Sequence, residues 1–166
     1  MRNFFAVDVC HDLIALVTGD SLREARYHAE LDALATRLHR VEIEKAITSL
    51  KETNNVSGLI AAYTQLMETF DTPHEKEEVI THIGSAHLHM ANNDIETFIA
   101  GKKNLSAQEL HELSILIQKR ATLARQYSGI GNAQEDTRRA RLLHFEALGS
   151  TKDKTLEEKI RTEFKS

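Results

Sequence analysis

The stretch "ITHIGSAHLHMANND", residues 80–94, holds three of the chain's nine histidines within eight positions. Two readings compete for it: a metal-binding cluster, or one helix of a packed pair that happens to carry imidazoles. At 100° per residue His87 falls on one face with Ile80, Ile83, Gly84 and Ala91, whereas His82 and His89 fall on the opposite face with Glu75, Glu78 and Ser85. His82 and His89 lie two turns apart, roughly 10 Å along a helix axis. That is too far for both to reach one Zn²⁺ at about 2 Å. The histidines therefore predict no metal site. The spacing predicts an amphipathic helix, with His87 on its packing face.

The rest of the chain follows the same pattern. Of its 166 residues one is proline and seven are glycine, and Ala, Leu, Glu, Ile and Lys dominate, which predicts an all-α chain. At 41% hydrophobic and 28% charged residues, the composition is that of a globular domain rather than a fibre or a disordered tail. Four segments open with Ser or Thr followed three residues later by Glu: Ser21 with Glu24, Thr72 with Glu75, Ser106 with Glu109, and Thr155 with Glu158. Each pair can satisfy two orphan donors of a first helical turn. Pro73 at a first helical position supports the second. Asn55 or Ser57, Asn93 and Asn132 are further caps. These signals predict helices at 4–18, 21–39, 41–53, 57–70, 74–91, 94–104, 107–127, 134–148 and 155–164. The break near residue 40 comes from a change of face between Leu31-Leu34-Leu38-Val41 and Ile43-Ala46-Ile47-Leu50.

The expected organisation is one domain over residues 1–166: N-terminal helices over 1–40, antiparallel hairpins over 41–148, and a C-terminal helix over 149–166. Within 41–148 a spacing recurs. Ile43-Ala46-Ile47-Leu50, Ile80-Ile83-Gly84-His87 and Arg120-Leu123-Ala124-Tyr127 share steps of three, one and three. Leu59, Tyr63 and Leu66 lie 12, 16 and 19 residues after Ile47, and Ala140, His144 and Ala147 lie 16, 20 and 23 after Ala124. This arrangement resembles tetratricopeptide-type helical hairpins, with spacings longer than that family's and without its Trp. The resemblance implies a stack of hairpins with a groove that binds a segment of another protein. An irregular helical bundle is the other architecture that the periodicities allow.

Charge is uneven. Residues 1–100 hold 8 basic against 16 acidic residues, and residues 101–166 hold 13 against 9. Lys119, Arg120, Arg125, Arg138, Arg139 and Arg141 flank a single turn, so antiparallel pairing gathers several of them. Arg120 stands out because it sits within an apolar stripe: either its stem snorkels or it lines a groove that receives a carboxylate. The residues expected to meet a partner are His87, Arg120, Tyr127, Arg138, Arg139 and Arg141.

No catalytic, cofactor-binding or metal-ligating constellation emerges. "YSGIGNAQED", 127–136, lacks the Lys-Ser/Thr of a phosphate loop, and its Glu135 and Asp136 would repel an anion. The paired Glu-x-x-His motifs of di-iron bundles are missing. Cys10, the single cysteine, lies in an apolar run and reads as a buried filler. With one cysteine a reducing, cytoplasmic setting is expected. The run "FFAVDVCHDLIALV", 4–17, is interrupted by Asp8, His11 and Asp12 and is shorter than a membrane span, so no membrane association is expected. The function expected is that of a non-enzymatic protein-interaction module, an adaptor, chaperone or inhibitor that needs no cofactor. Nucleic-acid binding through the basic C-terminal region is the alternative, and a small-molecule or metal-dependent activity the third. Self-association is also open, given the apolar N-terminal run.

Overall fold

The computed structural model describes residues 21–127 and 131–163. The segment 4–18, Cys10 and the glycine at 129 lie outside them. The described residues are all-α, with six helices and no strand. They divide into two compact units at Lys76/Glu77.

The first unit contains α1 (Ser21–Glu52) and α2 (Val56–Glu68). The two run antiparallel: the turn between them is closed by Asn55 N–H donating to the Leu50 carbonyl, and Arg40, twelve residues before the end of α1, reaches the far end of α2. Its Nε–H donates to Thr69 Oγ1 at 3.2 Å, its other amino group to the Thr69 carbonyl at 2.6 Å, and its guanidinium lies 4.0 Å over the Phe70 ring. Ile43, Ile47, Ala62, Tyr63 and Leu66 are buried between the two. The helix break expected near residue 40 is absent. No Gly or Pro interrupts residues 21–52, so the backbone has no reason to leave the helix. The change of face reflects where packing begins: before Arg40, Leu31, Leu34 and Leu38 are only half-buried, and burial starts at Ile43.

The second unit takes α3 (Pro73–Ile99) from Glu77 onward, then α4 (Ala107–Gln126), α5 (Ala133–Ser150) and α6 (Lys154–Glu163). The expected hairpin of 74–91 with 94–104 does not form, because α3 is one helix of 27 residues. Asn93 is no cap: it sits in mid-helix and its amide meets His89 Nε2 at 3.3 Å. The helix ends where Gly101 takes φ +73°, a conformation that costs a side-chain-bearing residue about 1–2 kcal/mol. With its middle member gone, the run of three matching hairpins is replaced by two antiparallel pairs, α1–α2 and α4–α5, and a long helix. Buried positions on α3 are Val79, Ile83, Gly84, Leu88 and Ile95, so Ile80, placed on the packing face from sequence, is exposed.

α4 and α5 form the centre. Ile95, Leu113, Ile117 and Ala140 make one cluster, backed by Phe98, Leu105, Leu116 and Leu143. Leu110, Ala147 and Ile160 make another, through which α6 is held. Ala140 and Ala147 present no bulk, so the α5 backbone can approach α4 closely. The expected caps at Ser106 and Asn132 are present: Ser106 and Glu109 form a full capping box, and Asn132 accepts from the Glu135 amide. Asn55 accepts from the Gly58 amide in the same way. At α6 the cap is Asp153, not Thr155; its Oδ1 accepts from the Thr155 amide at 2.8 Å. A carboxylate two residues earlier suits the helix's positive end better than a hydroxyl.

Candidate functional site

The residues expected to meet a partner separate into three places within the second unit. Arg120 is the first. Its Nε–H donates to Asp136 Oδ2 at 2.8 Å, one terminal nitrogen donates to Oδ1 of the same carboxylate, and the other donates to Asn92 Oδ1 at 2.8 Å. All three nitrogens are used within the chain. The carboxylate that Arg120 receives is its own Asp136, one of the two acidic groups that had been set beside the glycine turn. Both sit on inward helical stripes, and the fork-to-fork geometry makes this a strong pair of largely shielded groups. It clamps α4 to α5 and α3.

His87 and Tyr127 form the second place. Their rings stack with centroids 5.8 Å apart and planes 19° from parallel. They stand next to a cleft of about 330 Å³ between α3 and α4, lined by His87, Met90, Ala91, Leu116, Thr122 and Leu123, with Asp94 and Lys119 at its polar edge. His82 and His89 are exposed on the other face of α3, as the wheel geometry requires. Among the described residues no group of three or more His, Cys, Asp or Glu could hold a metal ion.

The third place is the outward face of α5. Positions 136, 140, 143 and 147 point inward, stepping by four, three and four. Positions 138, 142, 145 and 149 repeat those steps two residues on, about 200° around the helix. These are Arg138, Leu142, Phe145 and Gly149. Leu142 is 60% exposed and Phe145 65% exposed, so this helix is apolar on two opposite sides. Beside the stripe runs a groove of about 330 Å³ lined by Arg125, Gln134, Thr137, Arg138, Arg141, Leu142 and Phe145. No acidic residue lines it among the described residues. Arg125 is oriented by its bond to Thr137 Oγ1 at 2.5 Å. Arg139 lies on the other flank of the stripe, together with Glu135 and Glu146. Of the expected residues, then, Arg138 and Arg141 share a groove, His87 and Tyr127 share a stack, and Arg139 and Arg120 join neither.

A fourth feature was not anticipated. His111 is 2% exposed, and its Nε2 stands 2.8 Å from Glu163 Oε2 across 52 residues of sequence. The buried His144 ring lies 6.2 Å from that of His111. Burial, then the neighbouring His111 and Arg161, pushes the His144 imidazole below its usual 6.5. The hydrogen bond from His111 holds the Glu163 carboxyl below the usual carboxylate range. The two rings are buried while the Glu163 side chain is 41% exposed, and the contact reads as a structural tie. At the start of α4, the Ser106 amide, with Lys102 and the Ser106 hydroxyl, draws Glu109 down to about 2. Lys102 also lies 3.8 Å over the Phe98 ring, so this corner joins the end of α3 to the start of α4.

What sequence reasoning missed is Leu142 and Phe145. Their signal was present as a second four-three-four spacing offset from the inward one. No helix of the described residues is long and apolar enough to cross a membrane. Against protein-family models, curated proteins and solved structures, the chain has no match.

Proposed function

We propose that this chain is a protein-interaction module, non-enzymatic, that docks a helical segment of a protein on the outward face of α5. One observation supports the reading above the others: Leu142 and Phe145, both more than half exposed, stand in register at helix-pairing spacing in the middle of a helix whose opposite face is already buried. Isolated exposed apolar residues need no explanation. Two large ones aligned on a second stripe of one helix are a different matter, since this is the arrangement by which an amphipathic helix meets another through i, i+3, i+4 and i+7 anchors. Arg125, Arg138 and Arg141 along the groove favour a partner with carboxylates beside its apolar stripe. An adaptor, a chaperone or an inhibitor could each use such a face.

The same arginines support nucleic-acid binding as a second reading. Glu135 and Glu146 on the far flank, and Phe145 as the one aromatic ring lining the groove, weigh against a polyanion, which gains from continuous positive charge and from several stacking rings.

A photo-crosslinking amino acid placed at Gln134 tests the first reading. In native lysate it should form a discrete adduct with a protein, and the adduct should vanish in the Leu142→Asp/Phe145→Asp variant. Adducts to nucleic acid alone, or none, would overturn it.

A further inference from the structure

We infer that the occupant of this face is a second copy of the chain, paired antiparallel through α5. The inference rests on the reading of α5 as a docking helix and names its partner. Laid antiparallel on itself about a two-fold axis between residues 142 and 145, the stripe is self-complementary. Leu142 meets the partner's Phe145 and Phe145 meets the partner's Leu142, which gives two identical apolar layers at the centre. In the outer layers Arg138 meets the partner's Gly149. That glycine has nothing within 4 Å of where a Cβ would stand, so there is room for a long side chain. It also lies in the last turn of the partner's α5, which ends at Ser150, where unsatisfied carbonyls and the negative end of the helix dipole favour a guanidinium.

The flanking charges agree with this register. Arg139 and Glu146 project on the same flank of α5, seven residues apart, and the antiparallel arrangement sets Arg139 opposite the partner's Glu146, twice by symmetry. A two-fold interface requires such self-matching, in which residue i meets j and j meets i. A parallel pairing would instead bring opposite flanks together, setting Glu146 beside the partner's Arg141 and Arg139 beside the partner's Gln134, so that Arg139 meets no acidic group. On the other flank Arg141 comes beside the partner's Leu148, with no like charge directly opposite. An unrelated polyanion or an acidic helix would use the Arg138–Arg141 side and leave Arg139 and Glu146 without a role.

Four layers on one helix make a short seam, at the small end of specific interfaces. The dimer is accordingly weak and concentration-dependent, with dissociation expected at about 1–100 μM.

Sedimentation velocity of the full chain, in reductant to silence Cys10 and at low salt, from about 1 to 500 μM tests the inference. The expected mass rises from monomer toward dimer, and Phe145→Asp remains monomeric throughout. Because residues 139, 145 and 146 are exposed, this variant and those at 139 and 146 should keep wild-type helicity by circular dichroism, which excludes misfolding. Arg139→Glu alone and Glu146→Arg alone should each weaken association about tenfold at low salt, through two like-charge contacts per dimer. The double variant Arg139→Glu/Glu146→Arg should regain wild-type association, a recovery that only self-pairing in this register provides. A chain monomeric at every concentration overturns the inference, as does a dimer indifferent to Phe145→Asp or a double variant that stays weak. If the chain is monomeric while the Gln134 crosslinker still captures a different protein, the docking reading stands and the self-pairing falls. Loss of both results removes α5 as an interaction surface.

Discussion

Arg120 and Asp136 occupy positions where helical periodicity places apolar side chains, and each makes sense only through the other. The Arg120 side chain is 20% exposed and that of Asp136 11%, so removing one partner leaves a shielded charge without its counter-ion. Asp136→Leu or Arg120→Leu should lower unfolding free energy by about 3 kcal/mol, whereas Arg120→Leu/Asp136→Leu should regain most of it, because buried ion pairs often yield little over a well-packed apolar pair. Urea denaturation of the four proteins as a double-mutant cycle measures the coupling. Half of this was legible in the sequence. Arg120 is visibly out of place in its stripe, but Asp136 sits next to Glu135 and reads as solvated until the spacing 136-140-143-147 is laid out. His144 sets a second expectation. Its imidazole titrates lower in the folded chain than the usual 6.5 of the unfolded one, so the unfolded state binds the extra proton first. Its contribution is fully present above about pH 6.5 and is lost as the pH falls toward the folded-state value. The thermal midpoint should therefore drop between pH 7 and 5, and His144→Gln should flatten that slope. The contact of His111 with Glu163 was beyond sequence reasoning, since no periodicity links residues 52 apart.

Helix existence was readable because starts are chemically marked: hydroxyl or amide caps at Asn55, Ser106 and Asn132 stand where expected. Helix ends inside long apolar tracts were not. A change of apolar face and a cap-competent Asn look the same whether a helix stops or continues, and what decides is the presence of a true breaker. Gly101 is one; Arg40 and Asn93 are not. Substitution at Asn93 separates the two cases. In a helix interior Asn93→Ala should be neutral or stabilising by about 0.5 kcal/mol, whereas loss of a real cap would cost about 1 kcal/mol. Thermal denaturation of the single variant reads the sign.

For the whole molecule, the all-helical architecture was legible, while the absence of the middle hairpin was not, because matching spacings arise wherever amphipathic helices pack. The single-domain expectation is open to a direct test. α3 begins in the first unit and continues through the second, so loss of either end frays a helix that belongs to both. Unfolding in urea should accordingly give coincident transitions by far-ultraviolet circular dichroism and by tyrosine fluorescence, whose reporters are Tyr27 and Tyr63 in the first unit and Tyr127 in the second. Separated transitions would assign each unit its own stability.

The tie between His111 and Glu163 also has a meaning in time. α4 and α5 meet across a connection of a few residues, and such local pairings close early because little chain entropy is lost in bringing them together. The Glu163 contact with His111 spans 52 residues, and Ile160 finds Leu110 and Ala147 together only once α4 and α5 have paired. They belong late in folding and release early in local opening. Until they form, the buried imidazoles of α4 and α5 face water, and amide exchange should find α6 the least protected helix of its unit.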